Sequence, residues 1–154
     1  MAEDFATNVG FLLTDSARLL RKRFDQRARG IGVTRPQWRV LFSVARFPGI
    51  NQARLAEMLE VEPITLCRLI DRMEQAGMVR RDADPADRRA RQLFITEAGK
   101  PLLDKLKNTA CNLHTEIMGD FSREELQSLT GMLTRIRDKL SEQGGDIDER
   151  RVNG

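Results

Sequence analysis

The sequence predicts a mainly α-helical fold with one small β-hairpin, and three observations support this. Apolar residues recur at helical spacing along most of the chain. Between Asn51 and Gly77, two short amphipathic runs stand only a few residues apart. Two β-prone runs, Met78-Val79 and Leu93-Phe94-Ile95, then flank an arginine-rich, turn-prone stretch from Asp82 to Ala90. The predicted order over this region is helix, turn, helix, strand, loop, strand.

The composition fits one helix-rich domain that is long enough to bury a core. The 154 residues are 40% apolar and 32% charged, and the net charge is only +3. The total charge therefore says little about a nucleic-acid partner, and the distribution of the charges matters more. The acidic N-terminus lacks the apolar run of a secretory signal, and no apolar run approaches the roughly 20 residues that span a bilayer. We expect a cytoplasmic protein with no membrane partner.

Residues suited to catalysis or metal binding are scarce. The two cysteines, Cys67 and Cys111, are far apart and form neither a disulfide framework nor a metal-ligand spacing. His114 is the single histidine and follows Leu113 on a packing helix, so we interpret it as a satisfied interface residue. The sequence contains no nucleophile elbow and no phosphate-binding glycine loop. We expect no enzyme activity, no metal and no cofactor.

A long first helix is predicted from Asp4 to about Arg29 and ends at Gly30-Ile31-Gly32. Its apolar stripe is wider than one neighbouring helix would cover, which indicates a second packing partner. The stripe contains Val9, Phe11, Leu12, Leu13, Ala17, Leu19, Leu20 and Phe24.

A second helix is predicted to start at a capping box, Thr34 to Gln37, with Pro36 in its first turn. It stops near Phe47-Pro48-Gly49, where proline and glycine end the pattern. Its apolar face contains Trp38, Leu41, Phe42 and Ala45. The next run follows without a linker, so this helix belongs to the same core.

The first of the two short runs predicts a helix that begins at Asn51. Leu55, Ala56 and Leu59 share one face at helical spacing. Asn51 is a favourable N-cap, and Ile50 before it takes the position of a hydrophobic staple.

The second short run predicts a helix with one buried and one exposed face. Pro63 suits its first position, and Gly77 suits a left-handed C-cap. Thr65, Arg68 and Arg72 project from the exposed face. Arginine can bond guanine O6 and N7 together, and threonine can bond a base or contact a thymine methyl, as a DNA recognition helix requires. The buried stripe contains Leu66, Leu69, Ile70 and Met73.

The loop of the predicted hairpin concentrates arginines. Arg88, Arg89 and Arg91 lie at or beside its tip, after the turn dipeptide Asp84-Pro85. Arginines placed there could enter a minor groove or clamp phosphates. A helix-turn-helix followed by such a hairpin is the pattern of a winged helix.

Two more helices are predicted after the hairpin. Thr96 can cap the first, and Pro101 removes a backbone donor, so either this helix kinks or its regular part starts later. Phe121 to Leu126 forms a capping box with a hydrophobic staple and starts the last helix. Ser141 to Gly154 lacks periodic apolar residues, and we expect it to be frayed. The apolar stripes contain Leu102, Leu103, Leu106, Ala110, Leu113 and Ile117 in the first helix, and Leu129, Met132, Leu133, Ile136 and Leu140 in the second.

Long apolar-striped helices at both ends of a small DNA-binding module are expected of a dimerisation region. We therefore divide the chain into an N-terminal dimerisation helix (1–33), a winged helix-turn-helix (34–97), C-terminal dimerisation helices (98–142) and a flexible tail (143–154).

The sequence VEPITLCRLIDRMEQAGMVRR with the following DPADRRARQLFIT resembles the MarR family of winged-helix transcriptional regulators, and its SlyA-like branch most closely. Family members carry an Asp-x-Arg wing and a hydrophobic-Thr exit, matched here by Asp87, Arg89 and Ile95-Thr96. The resemblance covers roughly residues 8 to 142. It implies a homodimeric repressor that binds an inverted-repeat operator in double-stranded DNA.

The residues and the resemblance together assign a DNA-binding surface to the two short helices and the wing. Its members are Asn51, Gln52, Pro63, Thr65, Leu66, Arg68, Arg72, Asp87, Arg88, Arg89 and Arg91.

The resemblance also implies a ligand crevice. In SlyA-like proteins a tryptophan and an arginine of the first helix, matching Trp38 and Arg21, line a crevice for aromatic carboxylates. Phe42, one turn beyond Trp38, is apolar where some relatives have a polar residue. A small aromatic or phenolic effector would bind there and release the DNA. Core packing is the alternative role for Trp38, which lies on the apolar face of its helix.

Two further alternatives stay open. A winged helix can serve as a protein-interaction module without sequence-specific DNA binding, in which case the wing arginines would pair with an acidic protein surface. Cys67, on the flank of the second short helix, is either a small packing residue or a thiol whose oxidation would act beside DNA.

Overall fold

The computed structural model describes residues 8–144 and confirms the prediction of a mainly α-helical fold with a β-hairpin. The hairpin follows a helix-turn-helix, as expected of a winged helix. In chain order the elements are α1 (Val9–Gly30), α2 (Arg35–Arg46), β1 (Ile50–Asn51), α3 (Gln52–Leu59), α4 (Pro63–Gln75), β2 (Val79–Ala83), β3 (Arg91–Ile95), α5 (Lys100–Met118) and α6 (Arg123–Gly144).

The strands form one antiparallel sheet in the order β1-β3-β2. β2 and β3 make the predicted hairpin, with Arg81 opposite Leu93. The predicted loop begins at Asp82, whereas β2 continues through Ala83. β1 was not predicted, because a strand of two residues is too short to show an alternating pattern. Through the pairing of Ile50 with Leu93, β1 joins the start of α3 to the hairpin.

A continuous apolar core lies under the winged helix and extends to the C-terminal half of α1 and to α5. Leu41, Leu55, Ile70 and Leu93 are fully buried at its centre. Burying one such side chain stabilises the fold by roughly 1.5 to 3 kcal/mol. The core therefore fixes the angles between α2, α3, α4 and the sheet.

Local signals set the ends of α3 and α4. Asn51 Oδ1 accepts a hydrogen bond from the Ala53 amide at 2.8 Å, which confirms the predicted N-cap. After α4, Gly77 has a φ of +73°, and the Met78 amide donates to the Met73 carbonyl at 2.9 Å. This is a Schellman motif, which only a residue without Cβ closes at low cost. It turns the chain directly into β2.

Both ends of the described chain are helical. Asn8 Oδ1 accepts from the Gly10 amide at 2.8 Å, so α1 is capped there and begins at Val9. The predicted start of this helix, at residues 4–7, lies outside the described residues. At the other end α6 continues to Gly144, so residues 141–144 are helical and not frayed as predicted. The division of the chain into domains and a tail stays a prediction. The remainder of the predicted tail, 145–154, is likewise outside the described residues.

α5 begins later than the predicted cap implies. Its N-cap is Gly99 and not Thr96, and Pro101 therefore lies in the first turn, where its missing N–H is not needed. Thr96 Oγ1 instead accepts from the Gly99 amide at 2.9 Å and closes the preceding turn. Gly99 is buried, and a Cβ placed on it would overlap the carbonyl oxygen of Met78. No larger residue fits at this position.

α1 is held against α5, and α6 begins as predicted. Arg23 and Arg27 of α1 both form ion pairs with Glu116 of α5. At the start of α6, the Ser122 amide donates to Glu125 Oε2 at 2.7 Å and the Glu125 amide donates to Ser122 Oγ at 3.1 Å. The predicted capping box is thus confirmed.

The terminal helices leave apolar side chains exposed in the single chain. Leu12 is 51% exposed, Met132 52% and Leu140 68%. Apolar surface of this kind favours contact with a second surface. The other large aliphatic residues that are exposed on α1 and α6 are Val9, Leu19, Leu20 and Leu133.

Candidate nucleic-acid interface

The outer face of α4 carries the side chains predicted to read bases. Packing of Ile70 and Met73 into the core turns Thr65, Arg68 and Arg72 outward, and all three are exposed. Among residues 8–144, neither guanidinium group of this face has a hydrogen-bond or ion-pair partner. Unsatisfied guanidinium donors on a protruding helix are available to an external acceptor.

One residue assigned to the DNA-binding surface is misplaced. Leu66 is only 1% exposed and belongs to the apolar core. The assignment of Leu66 to a DNA contact is therefore wrong, because the side chain lies on the inner face of α4. Pro63, at the first position of the helix, is exposed.

The loop between β2 and β3 is folded by its own aspartates. Asp84 Oδ1 accepts from the Ala86 amide at 2.8 Å, and Asp87 Oδ1 accepts from the Arg89 amide at 2.9 Å. Through these Asx turns, Asp84 and Asp87 hold the geometry of the loop. They shape the backbone that carries the arginines.

The arginines of this loop differ in whether their guanidinium groups are hydrogen-bonded within the protein. Arg88 and Arg89 are exposed, and in the described part of the chain their guanidinium groups have no partner. The Arg91 guanidinium donates to the backbone carbonyl of Arg88 at 3.2 Å, which ties it to the loop. Two free positive charges are therefore presented at the tip of the wing.

A cleft of about 330 Å³ separates the wing from the starts of α3 and α4. Arg89 and Arg91 line the wing side, while Asn51 and Gln52 line the helical side. The complete lining is Asn51, Gln52, Ala53, Pro63, Asp87, Arg89, Ala90 and Arg91. The cleft thus brings together six of the eleven residues of the predicted surface, and the other five lie outside its wall: Thr65, Leu66, Arg68, Arg72 and Arg88.

Arg81, in β2, is a residue of this region to which the sequence analysis gave no role. Its side chain is only 15% exposed. Its Nε donates to Gln52 Oε1 at 2.8 Å, and its Nη2 donates to the Cys67 carbonyl at 3.0 Å. It also forms ion pairs with Asp71 at 2.7 Å and Glu74 at 2.8 Å.

The charge of Arg81 is stabilised by this environment. Burial opposes the charged form, but the hydrogen bonds to Asp71 and Glu74 outweigh it and raise the pKa of Arg81 above its usual value. The guanidinium therefore stays charged and connects β2, α3 and α4.

A second network, also missed, joins α1 to α2. Asp25 is buried at 7% exposure; its Oδ1 accepts from Trp38 Nε1 at 2.9 Å and its Oδ2 accepts from Arg35 Nε at 2.7 Å. Burial opposes ionisation, but the bonds from Arg35 and Trp38 outweigh it and hold the pKa of Asp25 below its usual value. An acidic residue within a helix looks like a surface residue in the sequence, so nothing signalled this role.

The residues predicted to line the ligand crevice differ in their environment: two pack against other aromatic rings and one is exposed. Trp38 packs edge-to-face on Phe24 with ring centroids 5.0 Å apart, and Phe42 lies 5.9 Å from Trp38. Arg21 is exposed on α1. None of Arg21, Trp38 and Phe42 lines the wing cleft or the smaller cavity of about 120 Å³ between α2, α3 and α4. The ligand site stays a prediction.

The remaining candidate residues lie apart from one another. His114 and Cys111 are exposed on α5, and Cys67 is half-buried with its Sγ 3.8 Å from Arg81 Nη2. Over residues 8–144, no three His, Cys, Asp or Glu side chains are grouped as metal ligands would be. No helix in that same range has the length and hydropathy to cross a membrane.

The chain is similar to known regulators in sequence and fold. Residues 31–90 match the model of the MarR family. The solved structure of the transcriptional regulator PA3341 is 30% identical, with a TM-score of 0.77, and the match covers 88% of this chain and 99% of that one. The chain belongs to the MarR family. The match to the family model spans α2 and the helix-turn-helix and ends in the loop of the wing.

Two other solved structures share the MarR-family fold of this chain. The transcriptional regulator SlyA is 26% identical, with a TM-score of 0.74, and the match covers 89% of this chain and 96% of that one. The transcriptional repressor CouR, solved bound to a 23-mer DNA duplex, is 23% identical, with a TM-score of 0.72 and coverage of 89% and 97%. The fold of this chain is therefore that of a MarR-family transcriptional regulator.

Proposed function

We propose that this chain is a sequence-specific transcriptional regulator that binds an inverted-repeat operator in double-stranded DNA as a homodimer. The observation that carries the proposal is the joint exposure of Arg68 on α4 and Arg89 on the wing, neither with a partner in the region described. Arg68 would read a base edge in the major groove and Arg89 would enter the flanking minor groove. CouR, a protein of the same fold, was solved on a DNA duplex.

The cleft between wing and helices suits the sugar-phosphate backbone that separates the two grooves. Arg89 and Arg91 supply positive charge on one wall, and Asp87 on the same wall is engaged by the Arg89 amide. Phosphate contacts of this kind fix register without reading sequence. Asn51, Gln52 and Pro63 form the opposite wall and would flank the same backbone.

A homodimer would cover the exposed apolar residues of α1 and α6. Leu20 and Leu133 remain 44% and 38% exposed in the single chain. A twofold dimer formed by these helices would present two copies of α4 to half-sites about one helical turn apart, 10 to 10.5 base pairs. Light scattering of the full chain should give the mass of two copies, and Leu20→Lys with Leu133→Lys should shift it toward one.

Several finer features belong to the same proposal. We assign the chain to the SlyA-like branch, to repression and to the cytoplasm, with release by a small aromatic or phenolic ligand near Trp38 and Arg21. The similarity to SlyA supports the branch. No catalytic role is proposed, because the exposed groups of the surface are cations and hydrogen-bond donors that bind anions.

The alternative is a winged-helix protein-interaction module, with the wing arginines on an acidic protein surface. The exposed Thr65 and Arg68 argue against this alternative. A module that binds protein through its wing arginines would not also need unpaired hydrogen-bond donors on α4. A gel shift of the purified chain on its own upstream region, with and without competitor DNA, separates the two. If the chain is a sequence-specific regulator, we expect a shifted band that persists in the presence of competitor DNA. Failure to shift any fragment at low salt would favour the interaction module.

A further inference from the structure

Arg81 lies where the wing meets the helix-turn-helix. It projects from β2, the first strand of the wing, and its guanidinium reaches the first residue of α3 and the middle of α4. The contacts are Gln52 Oε1 at 2.8 Å, the Cys67 carbonyl at 3.0 Å, Asp71 at 2.7 Å and Glu74 at 2.8 Å. One side chain thus spans three elements.

The hydrogen-bond partners of Arg81 lie next to residues that we propose to contact DNA. Cys67 precedes Arg68, the proposed base-reading residue, and Gln52 lines the cleft that faces Arg89. A planar guanidinium with several donors fixes its acceptors in both distance and direction. Arg81 therefore restrains the distance between the α4 reading face and the wing.

The neighbouring Arg80 shows that the restraint is specific to one face of the strand. Arg80 lies on the other face of β2, where it pairs with Asp82 and its guanidinium carbon lies 4.6 Å from the Phe94 ring centroid. Within residues 8–144, it forms no hydrogen bond or ion pair with α3 or α4. Half of its side chain is exposed, at 50%, against 15% for Arg81.

We propose that Arg81 is a positioning residue that holds the wing at the angle where major-groove and minor-groove contacts form together. The inference rests on the proposed function, since it concerns how two DNA-contacting elements cooperate. Arg81 itself does not touch DNA. Without it, α4 would still enter the major groove, but Arg89 would no longer be aligned with the adjacent minor groove.

A double-mutant cycle tests this, with affinity measured by fluorescence anisotropy on a duplex that the parent chain selects from a random pool. In the parent we expect Arg89→Ala to weaken binding about tenfold. In the Arg81→Met background we expect the same change to weaken binding less than about threefold, because coupled residues are not additive. In the matched Arg80→Met background the loss should stay about tenfold.

The outcomes separate the inference from the proposed function. Equal losses from Arg89→Ala in the parent and Arg81→Met backgrounds would overturn the inference while leaving regulator function intact. A parent chain that selects no duplex would overturn both. Should Arg81→Met fail to fold by circular dichroism, the cycle is repeated with Glu74→Gln, which keeps the arginine and removes one charged partner. Reduced coupling to Arg89 is expected there too, and unchanged coupling would count against the proposal.

Discussion

The indole N–H of Trp38 donates to Asp25 Oδ1 at 2.9 Å, so a buried carboxylate of α1 holds the side chain that anchors α2. Arg35, one turn before Trp38, bonds the other oxygen of the same carboxylate. This group joins the N-terminal helix, proposed to dimerise, to the first helix of the winged domain. The relative placement of the two parts depends on Asp25 remaining ionised.

Replacing Asp25 by Asn should lower the unfolding free energy by roughly 1 to 2 kcal/mol, because a charge-assisted bond to Arg35 becomes a neutral one. The value is at the low end for such bonds since the Arg35 side chain is 48% exposed and screened by solvent. Urea unfolding at a fixed protein concentration measures it. Asp15→Asn, which removes the exposed pair with Arg18, is the control and should change stability by less than about 0.5 kcal/mol.

The contribution of Asp25 should also depend on pH. Its folded-state pKa lies below the unfolded value of about 3.9, so its stabilisation is present above that value and is lost as pH falls through the folded pKa. The stability difference between the parent and Asp25→Asn should be constant above about pH 5 and should shrink below about pH 4. A difference that stays constant down to pH 3 would show that the charge has no role.

Gly99→Ala should destabilise the fold by more than about 2 kcal/mol, because its Cβ would overlap the buried Met78 carbonyl. Thermal unfolding measures the effect. Gly30→Ala is the matched control, since a Cβ at Gly30 meets nothing within 4 Å and should leave stability unchanged or raise it by up to about 1 kcal/mol. Equal effects of the two substitutions would contradict the close packing at the start of α5.

Arg68→Ala should cost roughly 1 to 3 kcal/mol of operator affinity and relax preference at one base position per half-site, because it removes a bidentate contact. Arg68→Lys keeps the charge but not the planar fork, so it should retain general affinity and lose the same preference. Competition among duplexes that differ at single positions measures both variants. Unchanged preference in both would remove Arg68 from base reading.

Arg88→Ala combined with Arg89→Ala should make binding less sensitive to salt. Each lost phosphate contact reduces the slope of log affinity against log salt by about 0.9, so two free arginines per subunit should flatten it clearly. Arg18→Ala, on α1 and outside the proposed surface, should leave the slope unchanged. A double variant with the parent slope would mean that the wing tip does not neutralise phosphates.

Much of the fold could be predicted because its signals are local. Asn51, Gly77 and the Ser122–Glu125 box mark element ends through bonds between residues at most five positions apart. The periodicity of apolar residues found the buried face of α4. The sequence pattern placed Leu66 both in the buried face of α4 and on the DNA-binding surface. Its burial shows that only the first assignment is right.

What the sequence missed depends on contacts between distant residues. Nothing in the sequence separates Arg81 from Arg89, but Arg81 bonds Gln52, which is 29 positions away, while Arg89 has no partner in the described region. Gly99 is fixed by the backbone of Met78 across a turn, and Asp25 by Arg35 on another helix. These roles arise only once helices and sheet are packed.

The decisive experiment is the selection of binding sites from a random duplex pool by the full chain. We expect recovery of an inverted repeat with half-sites about 10 to 10.5 base pairs apart, flanked by A·T-rich minor grooves where the wings reach. Recovery of no enriched sequence at low salt, or of single half-sites without symmetry, would contradict it.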